Sequence, residues 1–384
     1  MVTLVVNPGS SSKKYALYKQ GAKIFSMVFE KTSKDIGRCT QIGNERVHCS
    51  VATSHSYKAA LHEMLAEAKR VNAIASVADI TTVAFRIVAP GRMFMEHRTI
   101  DASYITALEA ARYVVPLHVP PTLEEIVAAQ LLLTHAKLVG ISDSAFHRTI
   151  PEYHYRYSAP EATAAGIRRF GYHGLSVQSV VERLSQAMGG YVDKVVVVHV
   201  GSGASVTAVQ AGQSVHTTMG YAPASGLLMS SRASDLDPAA MIALLAATKM
   251  NLEGAFEYIH SEGGLKGYTN SADLKNVLMM ESKGNHNAEV AVAAFLKTLQ
   301  AAIAGAVARL GGVDALVLTA TAMERNHELR ERLIRPLSFM KLMIDDHAND
   351  SLEGRVGLLS TADSVPIVLI PTDEMGLMAT LATS

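Results

Sequence analysis

The stretch KVVVVHVGSGASVTAV at residues 194–209 decides the fold. Its almost unbroken valine run, Lys194–Val200, predicts a strand buried on both faces. The Gly/Ser segment that follows predicts a turn, and Val206–Val209 predicts a second strand. The same order occurs at the start of the chain, where Val2–Asn7 and Lys13–Lys19 flank a Pro/Gly/Ser turn. The recurrence suggests two related halves, but any two hairpins look alike at this level, so both interpretations stay open at this point.

Helix and strand patterns alternate through the rest of the chain, which is typical of an α/β fold with mixed sheets. The helices are predicted at Ser56–Val71, Thr122–His135, Ser176–Met188, Pro238–Thr248 and Ala288–Leu310, and the further strands at Thr81–Val88, Lys137–Asp143, Val313–Thr319 and Val365–Ile370. The tail after Asp373 is short and apolar, so we expect a helix that returns to the first half.

Composition narrows the class of protein. A length of 384 residues predicts two domains. Lys and Arg number 35, as do Asp and Glu, and this zero net charge argues against nucleic-acid or anionic-membrane binding. Cys39 and Cys49 are too few for a disulfide framework or a four-cysteine zinc site, which is typical of a reducing compartment. Charged residues interrupt Ala288–Leu310, which predicts a buried helix rather than a membrane span. We therefore expect a globular, cytoplasmic chain.

Polar side chains that could bind a ligand or take part in catalysis lie at predicted strand ends and turns. The turn after Asn7 exposes backbone N–H groups and hydroxyls that suit phosphate oxygens. Arg86 follows a strand, and Asp143 ends one, which is a frequent place for a Mg²⁺ ligand or catalytic carboxylate. His173 lies between glycines, and Arg232 precedes a predicted helix. Each has an ordinary structural explanation when taken alone. Together they lack a nucleophile–base pair and fit charge neutralisation, which points to phosphoryl transfer.

Nine segments then resemble, in order and over essentially the whole chain, the acetate kinase family with its propionate and butyrate kinase relatives. They are VNPGSSSKKY at 6–15, RIVAPG at 86–91, PLHVPP at 116–121, SDSAFHRTIP at 142–151, IRRFGYHGLS at 167–176, HVGSGASV at 199–206, TTMGYAPASGL at 217–227, SRASDLDP at 231–238 and PTDEMG at 371–376. The resemblance implies duplicated actin-like, ribonuclease H-like domains with mixed sheets flanked by helices and a cleft between. It places the first domain at 1–146 plus 371–384 and the second at 147–370, and it implies a homodimer.

The resemblance also implies roles for individual residues. The catalytic set is Asp143, Arg86, Arg232, His173 and His118. The acyl pocket is formed with Arg86 by Val88, Leu117, Tyr172 and Pro223; the family has Phe at the position of Tyr172, so the extra hydroxyl makes the pocket slightly more polar. Phosphate and nucleotide binding falls to Asn7, Ser10, Ser12, Lys14, His199, Gly201, Ser202, Gly203, Asp273, Leu274, Lys275, Thr321 and Arg325. Mg²⁺ or Mn²⁺ would be held by Asn7, Asp143 and Glu374.

The departures from the family cluster at the nucleotide side. Residues 319–325 are TATAMER, where the family carries a Gly-Gly-Ile-Gly-Glu-Asn loop, so Ala320, Thr321 and Met323 are expected to crowd or reshape the purine site. The family's Asp-Phe-Arg segment appears as Asp273–Lys275, and Ser202 replaces an Asn. Three hypotheses follow: a kinase that forms an acyl phosphate from ATP and acetate or propionate, a kinase that uses pyrophosphate, and a non-catalytic binding protein. The retained catalytic set argues against the third.

Overall fold

The computed structural model describes residues 1–9, 11–31 and 35–383. The chain divides into two compact units. Unit 1 comprises Met1–Ala145 and Glu374–Ser384, and unit 2 comprises Phe146–Asp373. The predicted phosphate-turn residue Ser10 lies outside the described residues.

Strands and helices alternate as the sequence predicts. The strands, in chain order, are β1 Val2–Pro8, β2 Ser12–Lys19, β3 Ala22–Lys31, β4 Ile36–Ile42, β5 His48–Ala52, β6 Ile80–Ile87, β7 Arg98–Thr99, β8 Lys137–Ser142, β9 Lys194–Val200, β10 Ala204–Gln210, β11 Gln213–Thr217, β12 Ala315–Thr319, β13 Gly357–Leu358 and β14 Ile367–Leu369. The helices are α1 Ser54–Lys58, α2 Ala60–Arg70, α3 Ala102–Ala111, α4 Val119–Leu132, α5 Glu152–Tyr155, α6 Pro160–Ala164, α7 Gly174–Met188, α8 Pro238–Thr248, α9 Leu252–Ser261, α10 Gly264–Thr269, α11 Leu274–Ser282, α12 His286–Leu310, α13 Thr321–Arg325, α14 His327–Ile334, α15 Asp346–Ser351 and α16 Glu374–Leu381.

Unit 1 is built on one mixed sheet in the order β5-β4-β3-β2-β1-β6-β8-β7. Strand β1 pairs antiparallel with β2 and parallel with β6, and β6 pairs parallel with β8. Helices α4 and α16 both pack against β1 and β6. This cover explains why the apolar residues of β1 are buried on both of its faces.

Unit 2 repeats the same arrangement in the order β11-β10-β9-β12-β14-β13. Strand β9 pairs antiparallel with β10 and parallel with β12, which in turn pairs parallel with β14. In the core, Val177, Val180 and Leu184 of α7 pack with Val195 and Val197 of β9. The repeated core of an antiparallel hairpin followed by two parallel strands confirms the α/β class with duplicated halves.

Two predicted helices depart from the prediction by more than two residues at their start or by a break. Helix α4 begins at Val119 rather than Thr122, because Pro120 and Pro121 occupy its first turn, where a missing N–H costs nothing. The single helix predicted at Ser56–Val71 is wrong: the structure has the two helices α1 and α2 there.

Helix α12 is the one helix, within the described ranges, that is long and apolar enough to cross a membrane by length and composition. Its face with Ala291, Leu299 and Ile303 is buried, and the helix packs against β9 and β10. Core helices of soluble proteins pass the same test. The predicted core helix therefore accounts for this segment.

The two cysteines are joined in a disulfide, Cys39–Cys49. They lie directly opposite each other on the antiparallel strands β4 and β5. The low cysteine count predicts no disulfide framework and is typical of a reducing compartment. This single cross-strand bridge was not predicted, because the pairing depends on the register of β4 and β5, which the sequence does not show.

Candidate active site

Three charged residues of unit 1 meet around one guanidinium. Arg86 Nη2 lies 3.0 Å from Asp143 Oδ2, Arg86 Nε lies 3.3 Å from Asp143 Oδ1, and Arg86 Nη1 lies 3.2 Å from Glu374 Oε2. Asp143 is fully buried, and Arg86 is mostly buried. Burial by itself lowers the pKa of Arg86, but the charges of Asp143 and Glu374 outweigh it, so the pKa is raised overall. The arginine is therefore held charged and oriented.

Strand order explains this meeting. Arg86 lies near the carboxyl end of β6, and Asp143 follows the neighbouring parallel strand β8. The Asp143 N–H donates to the Ile87 carbonyl at 2.9 Å, which fixes the start of the loop. Asn7 lies near the same end of β1, the other parallel neighbour of β6. The carboxyl edge of parallel strands is the usual ligand-binding edge of an α/β sheet.

The first turn is braced from several sides. The Gly9 N–H donates to the Ser12 carbonyl at 2.7 Å, and the Lys31 N–H donates to the Ser11 carbonyl at 2.8 Å. The Tyr57 hydroxyl donates to the Gly9 carbonyl at 3.4 Å. Predicted site residues Asn7 and Ser12 flank this turn and are half-buried. These bonds hold Gly9, Ser11 and Ser12 in place.

Two adjacent lysines follow the turn, and the structure treats them differently. Lys14 is exposed, as a phosphate-binding lysine requires. Lys13 is buried, and its Nζ lies 2.7 Å from Oε1 of Glu125 on α4. Sequence reasoning missed this ion pair, although the alternation of β2 places Lys13 on the same face as Tyr15 and Leu17.

The remaining predicted residues of unit 1 lie in short loops. Val88 directly follows β6 and is buried, while Leu117 and His118 are half-buried before α4. The His118 carbonyl accepts hydrogen bonds from the N–H and hydroxyl of Thr122. The start of α4 thus holds the His118 backbone in place.

In unit 2 two predicted histidines stack face to face. The rings of His173 and His199 are 4.0 Å apart with planes 25° from parallel. His173 Nδ1 lies 3.0 Å from Ser205 Oγ, and His199 Nδ1 lies 2.7 Å from Ser176 Oγ. Each imidazole therefore has one nitrogen occupied by a serine. Neither serine was assigned a role from the sequence, although both fall within the motifs quoted above.

The second Gly/Ser turn allows His173 and Arg232 to approach the same backbone. A Cβ atom on Gly203 would lie 3.0 Å from Arg232 Nη1 and 3.0 Å from His173 Nε2. The Gly201 N–H donates to the Gly203 carbonyl at 2.8 Å, and Ser202 is exposed at the tip. A side chain at 203 would therefore crowd both the arginine and the histidine.

Arg232 and the predicted acyl-pocket residues share a segment. Arg232 is 8% exposed, and its Nη1 donates to the Pro223 carbonyl at 2.7 Å. Tyr172 is fully buried, and its hydroxyl donates to the Tyr221 carbonyl at 2.6 Å. The proton of this hydroxyl is directed at the main chain. The expectation that the hydroxyl makes the pocket slightly more polar stays a prediction.

The altered loop after β12 keeps an unusual backbone. Ala320 has φ 70° and ψ 166°, a conformation that glycine alone adopts without strain. Ala320 and Met323 are buried, whereas Thr321 and Arg325 are exposed. Among the residues expected to crowd the purine site, Thr321 therefore has the accessible side chain, and Met323 packs into the core.

A buried arginine that sequence reasoning missed supports this loop. Arg330 is 1% exposed and donates to the main-chain carbonyls of Met323, Asn349 and Leu352. Burial lowers its pKa. Its isolated position in an otherwise ordinary helix pattern carried no signal in the sequence.

The segment Asp273–Lys275 has a local structural role. The Asp273 carboxylate caps α11 by accepting from the Lys275 N–H at 2.9 Å. Asp273 and Lys275 are exposed and Leu274 is half-buried. The structure shows that this segment caps a helix. Its contact with a nucleotide stays a prediction.

Unit 1 offers oxygen donors of the chemical kind that a divalent metal ion takes. Asp143 and Glu374 converge on one guanidinium, and Asn7 lies at the same sheet edge. Within the described ranges, no group of three or more His, Cys, Asp or Glu is suited to hold a metal by itself. Mg²⁺ usually keeps several waters and takes one or two carboxylates together with substrate phosphates. These residues match that pattern.

Comparisons with known proteins agree over the full length. The Acetokinase family matches residues 2–380. Acetate kinase from Exiguobacterium sp. strain AT1b is 32% identical over 380 residues, covering 97% of this chain and 94% of that protein. The crystal structure of Porphyromonas gingivalis acetate kinase has a TM-score of 0.85 at 29% identity, covering 100% of this chain and 98% of that chain. A propionate kinase from Francisella tularensis has a TM-score of 0.88 at 27% identity, covering 100% and 99%.

Proposed function

The chain belongs to the acetate kinase family of phosphotransferases with a carboxyl acceptor, and we propose that it transfers the terminal phosphoryl group of ATP to acetate or propionate in a reversible, Mg²⁺-dependent reaction. The family uses ATP or ADP and a divalent metal. Neither the pyrophosphate hypothesis nor the non-catalytic hypothesis gains support from the comparisons. The magnesium requirement and the choice of acid are parts of the proposal.

The observation that carries the proposal is that each unit holds one arginine of the family motifs in a fixed position. Arg86 is held by two carboxylates in unit 1. Arg232 and His173 approach the Gly203 backbone in unit 2. We assign both groups to one reaction, since the resemblance gives them complementary roles in holding the carboxylate and the transferred phosphoryl group. Positively charged groups fixed in advance are what phosphoryl transfer requires of a protein.

The chemistry needs little from the protein beyond position and charge. A carboxylate is already ionised at pH 7, so its attack on phosphorus requires no general base. Arg86 orients the acid, while Arg232 and His173 neutralise charge on the equatorial oxygens. Asp143 keeps the Arg86 guanidinium in place through two hydrogen bonds. Mg²⁺ held by Asp143, Glu374 and Asn7 would supply further charge neutralisation on the donor phosphates.

The proposed acyl pocket favours a short acid. Val88, Tyr172 and Pro223 are buried, and Leu117 is half-buried. We propose that they surround the acyl chain. One methylene is worth about 1–3 kcal/mol in such a pocket, so acetate and propionate are both substrates with modest discrimination.

We also propose that the enzyme is a homodimer. The supporting feature is α8, which has no charged residue along Pro238–Thr248. In the described part of the chain no residue of α8 is buried, and Ile242 is 69% exposed. A second copy is the occupant that we assign to this apolar face. Ile242→Glu should halve the mass measured by light scattering; an unchanged mass would remove α8 from the interface.

Acyl-phosphate formation tests the proposed function. Purified protein is incubated with acetate, Mg²⁺ and either ATP or pyrophosphate, and the product is trapped as the hydroxamate. We expect product with ATP, and a loss of orders of magnitude in kcat for Arg232→Ala. Arg355→Ala is the control, because Arg355 is exposed and unrelated to the site. Product with pyrophosphate alone would overturn the choice of donor, and none with either would overturn the activity.

A further inference from the structure

The hydroxyl of Tyr172 and the guanidinium of Arg232 are hydrogen-bonded to the same short segment of main chain. The hydroxyl donates to the Tyr221 carbonyl at 2.6 Å. Two residues further along, the Pro223 carbonyl accepts from Arg232 Nη1 at 2.7 Å. One short segment, 221–223, is therefore held by a pocket tyrosine at one end and by a catalytic arginine at the other.

Other contacts leave this segment little freedom on the side facing Tyr172. The Gly220 carbonyl accepts from the N–H groups of Phe170 and Gly171 at 3.0 and 3.3 Å. The Tyr221 N–H donates to the Tyr157 hydroxyl at 3.1 Å. A Cβ atom on Gly220 would lie 2.7 Å from that hydroxyl. Residues 170–172 and 220–221 thus run alongside each other, and the Tyr172 hydroxyl extends their pairing by one side-chain bond.

Tyr172 itself is fixed before it acts on the segment. Its ring is fully buried, and its own carbonyl lies 2.9 Å from Nε2 of His147. His147 is in turn bonded through Nδ1 to Ser214 at 2.8 Å. The hydroxyl therefore projects from a rigid support, which is what a group that orients another residue requires.

We propose that Tyr172 is a positioning and specificity-determining residue for the carboxylate. Its hydroxyl fixes residues 221–223 and with them Pro223, which the proposed function puts beside the acyl chain, and, through the Pro223 carbonyl, the direction of the Arg232 guanidinium. This inference rests on the proposed function, because it assumes that Tyr172 and Pro223 border the acyl chain. It assigns the hydroxyl no contact with the substrate.

The test is Tyr172→Phe, which removes one oxygen and keeps the buried ring. Without the hydroxyl, the Tyr221 carbonyl loses its donor. The net free energy of one hydrogen bond corresponds to a change of about three- to tenfold in a rate or equilibrium constant that depends on the bond. We expect kcat with acetate to fall by about that factor, the KM for ATP to change less, and the ratio of kcat/KM for propionate to that for acetate to rise about threefold or more. Tyr191→Phe is the matched control, since Tyr191 is in the same unit but 72% exposed.

A measurement without substrate separates this inference from the proposed function. Amide hydrogen exchange over residues 217–234 is expected to be faster in Tyr172→Phe and unchanged in Tyr191→Phe. Unchanged exchange in Tyr172→Phe would show that the hydroxyl does not hold residues 221–223 and would overturn the proposal. Faster exchange with an unchanged propionate-to-acetate ratio would overturn the specificity role. If the unaltered chain forms no acyl phosphate, the proposed function fails, and the exchange result still decides whether the hydroxyl holds the segment.

Discussion

Glu125→Gln removes the charge that neutralises the buried Lys13 ammonium. Lys13 and Glu125 side chains are each 3% exposed and 2.7 Å apart. Breaking a buried ion pair by removing one partner costs about 3–5 kcal/mol, because the remaining charge stays desolvated. For a domain of this size 1 kcal/mol corresponds to roughly 2–4 °C, so we expect the melting temperature to fall by roughly 6–20 °C.

The pair also connects two parts of the site. Lys13 lies opposite Pro8 where β2 leaves the first turn, and Glu125 belongs to the helix that begins after His118. Loosening this connection should move the turn and raise the KM for ATP as well as lower stability. Thermal unfolding and steady-state kinetics are measured on the same preparation.

Glu124→Gln is the control, because it makes the same substitution at the exposed neighbouring position of α4. A double variant, Lys13→Met with Glu125→Leu, is expected to regain most of the lost stability, since apolar residues of similar volume often replace a buried pair without cost. If Glu125→Gln melts within 2 °C of the unaltered chain while Glu124→Gln does the same, the pair is not desolvated as the structure indicates.

Three further predictions concern the altered loop, a buried histidine and the catalytic carboxylate. Ala320→Gly should relieve backbone strain of about 1–3 kcal/mol, which offsets the lost methyl group; thermal unfolding should show an unchanged or higher melting temperature and kinetics a lower KM for ATP, and a fall of several degrees would contradict this. Burial lowers the pKa of His260 from the usual 6.5 to about 4. Between these values the unfolded state binds more protons, so the free energy of unfolding falls as the pH drops from 6.5 towards 4, by up to about 3 kcal/mol. In urea unfolding across this range, His260→Gln should lose less stability than the unaltered chain, and parallel losses in the two proteins would contradict this. Asp143→Asn should abolish turnover at every Mg²⁺ concentration, whereas full rescue by added Mg²⁺ would reduce Asp143 to a ligand that only sets metal affinity.

The central strands were predictable because their signal is simple. The valine run of β9 and the β-branched start of β1 are buried on both faces, so hydrophobicity alone marks them. The meander β3–β5 was missed. Strands β4 and β5 are half-buried or exposed along their whole length and carry no burial pattern, whereas β3 does alternate, with Phe25, Met27 and Phe29 buried, and that signal went unused. The Cys39–Cys49 bridge was missed with it, since the bridge depends on the register of that meander.

Which site residues could be predicted also depended on whether their local sequence carries a simple signal. Residues in turns with unusual composition, such as Asn7, His173 and Arg232, could be selected from the sequence because glycine and serine mark the turns. Residues that act from the core could not. Arg330 and the hydroxyl of Tyr172 derive their roles from carbonyls that only the folded chain brings near them. Ala320 was noticed as a departure, but its strained backbone is a property of the three-dimensional structure alone.

The most direct test of the central claim follows the phosphoryl group itself. The protein is mixed with ATP labelled on its terminal phosphate, Mg²⁺ and acetate, and the products are separated before and after treatment with hydroxylamine. We expect the label to move to an acyl phosphate, which hydroxylamine then destroys. Arg232→Ala is expected to lower the rate of this label transfer by orders of magnitude. Label that stays on ATP, or that appears only as inorganic phosphate, would contradict the central claim.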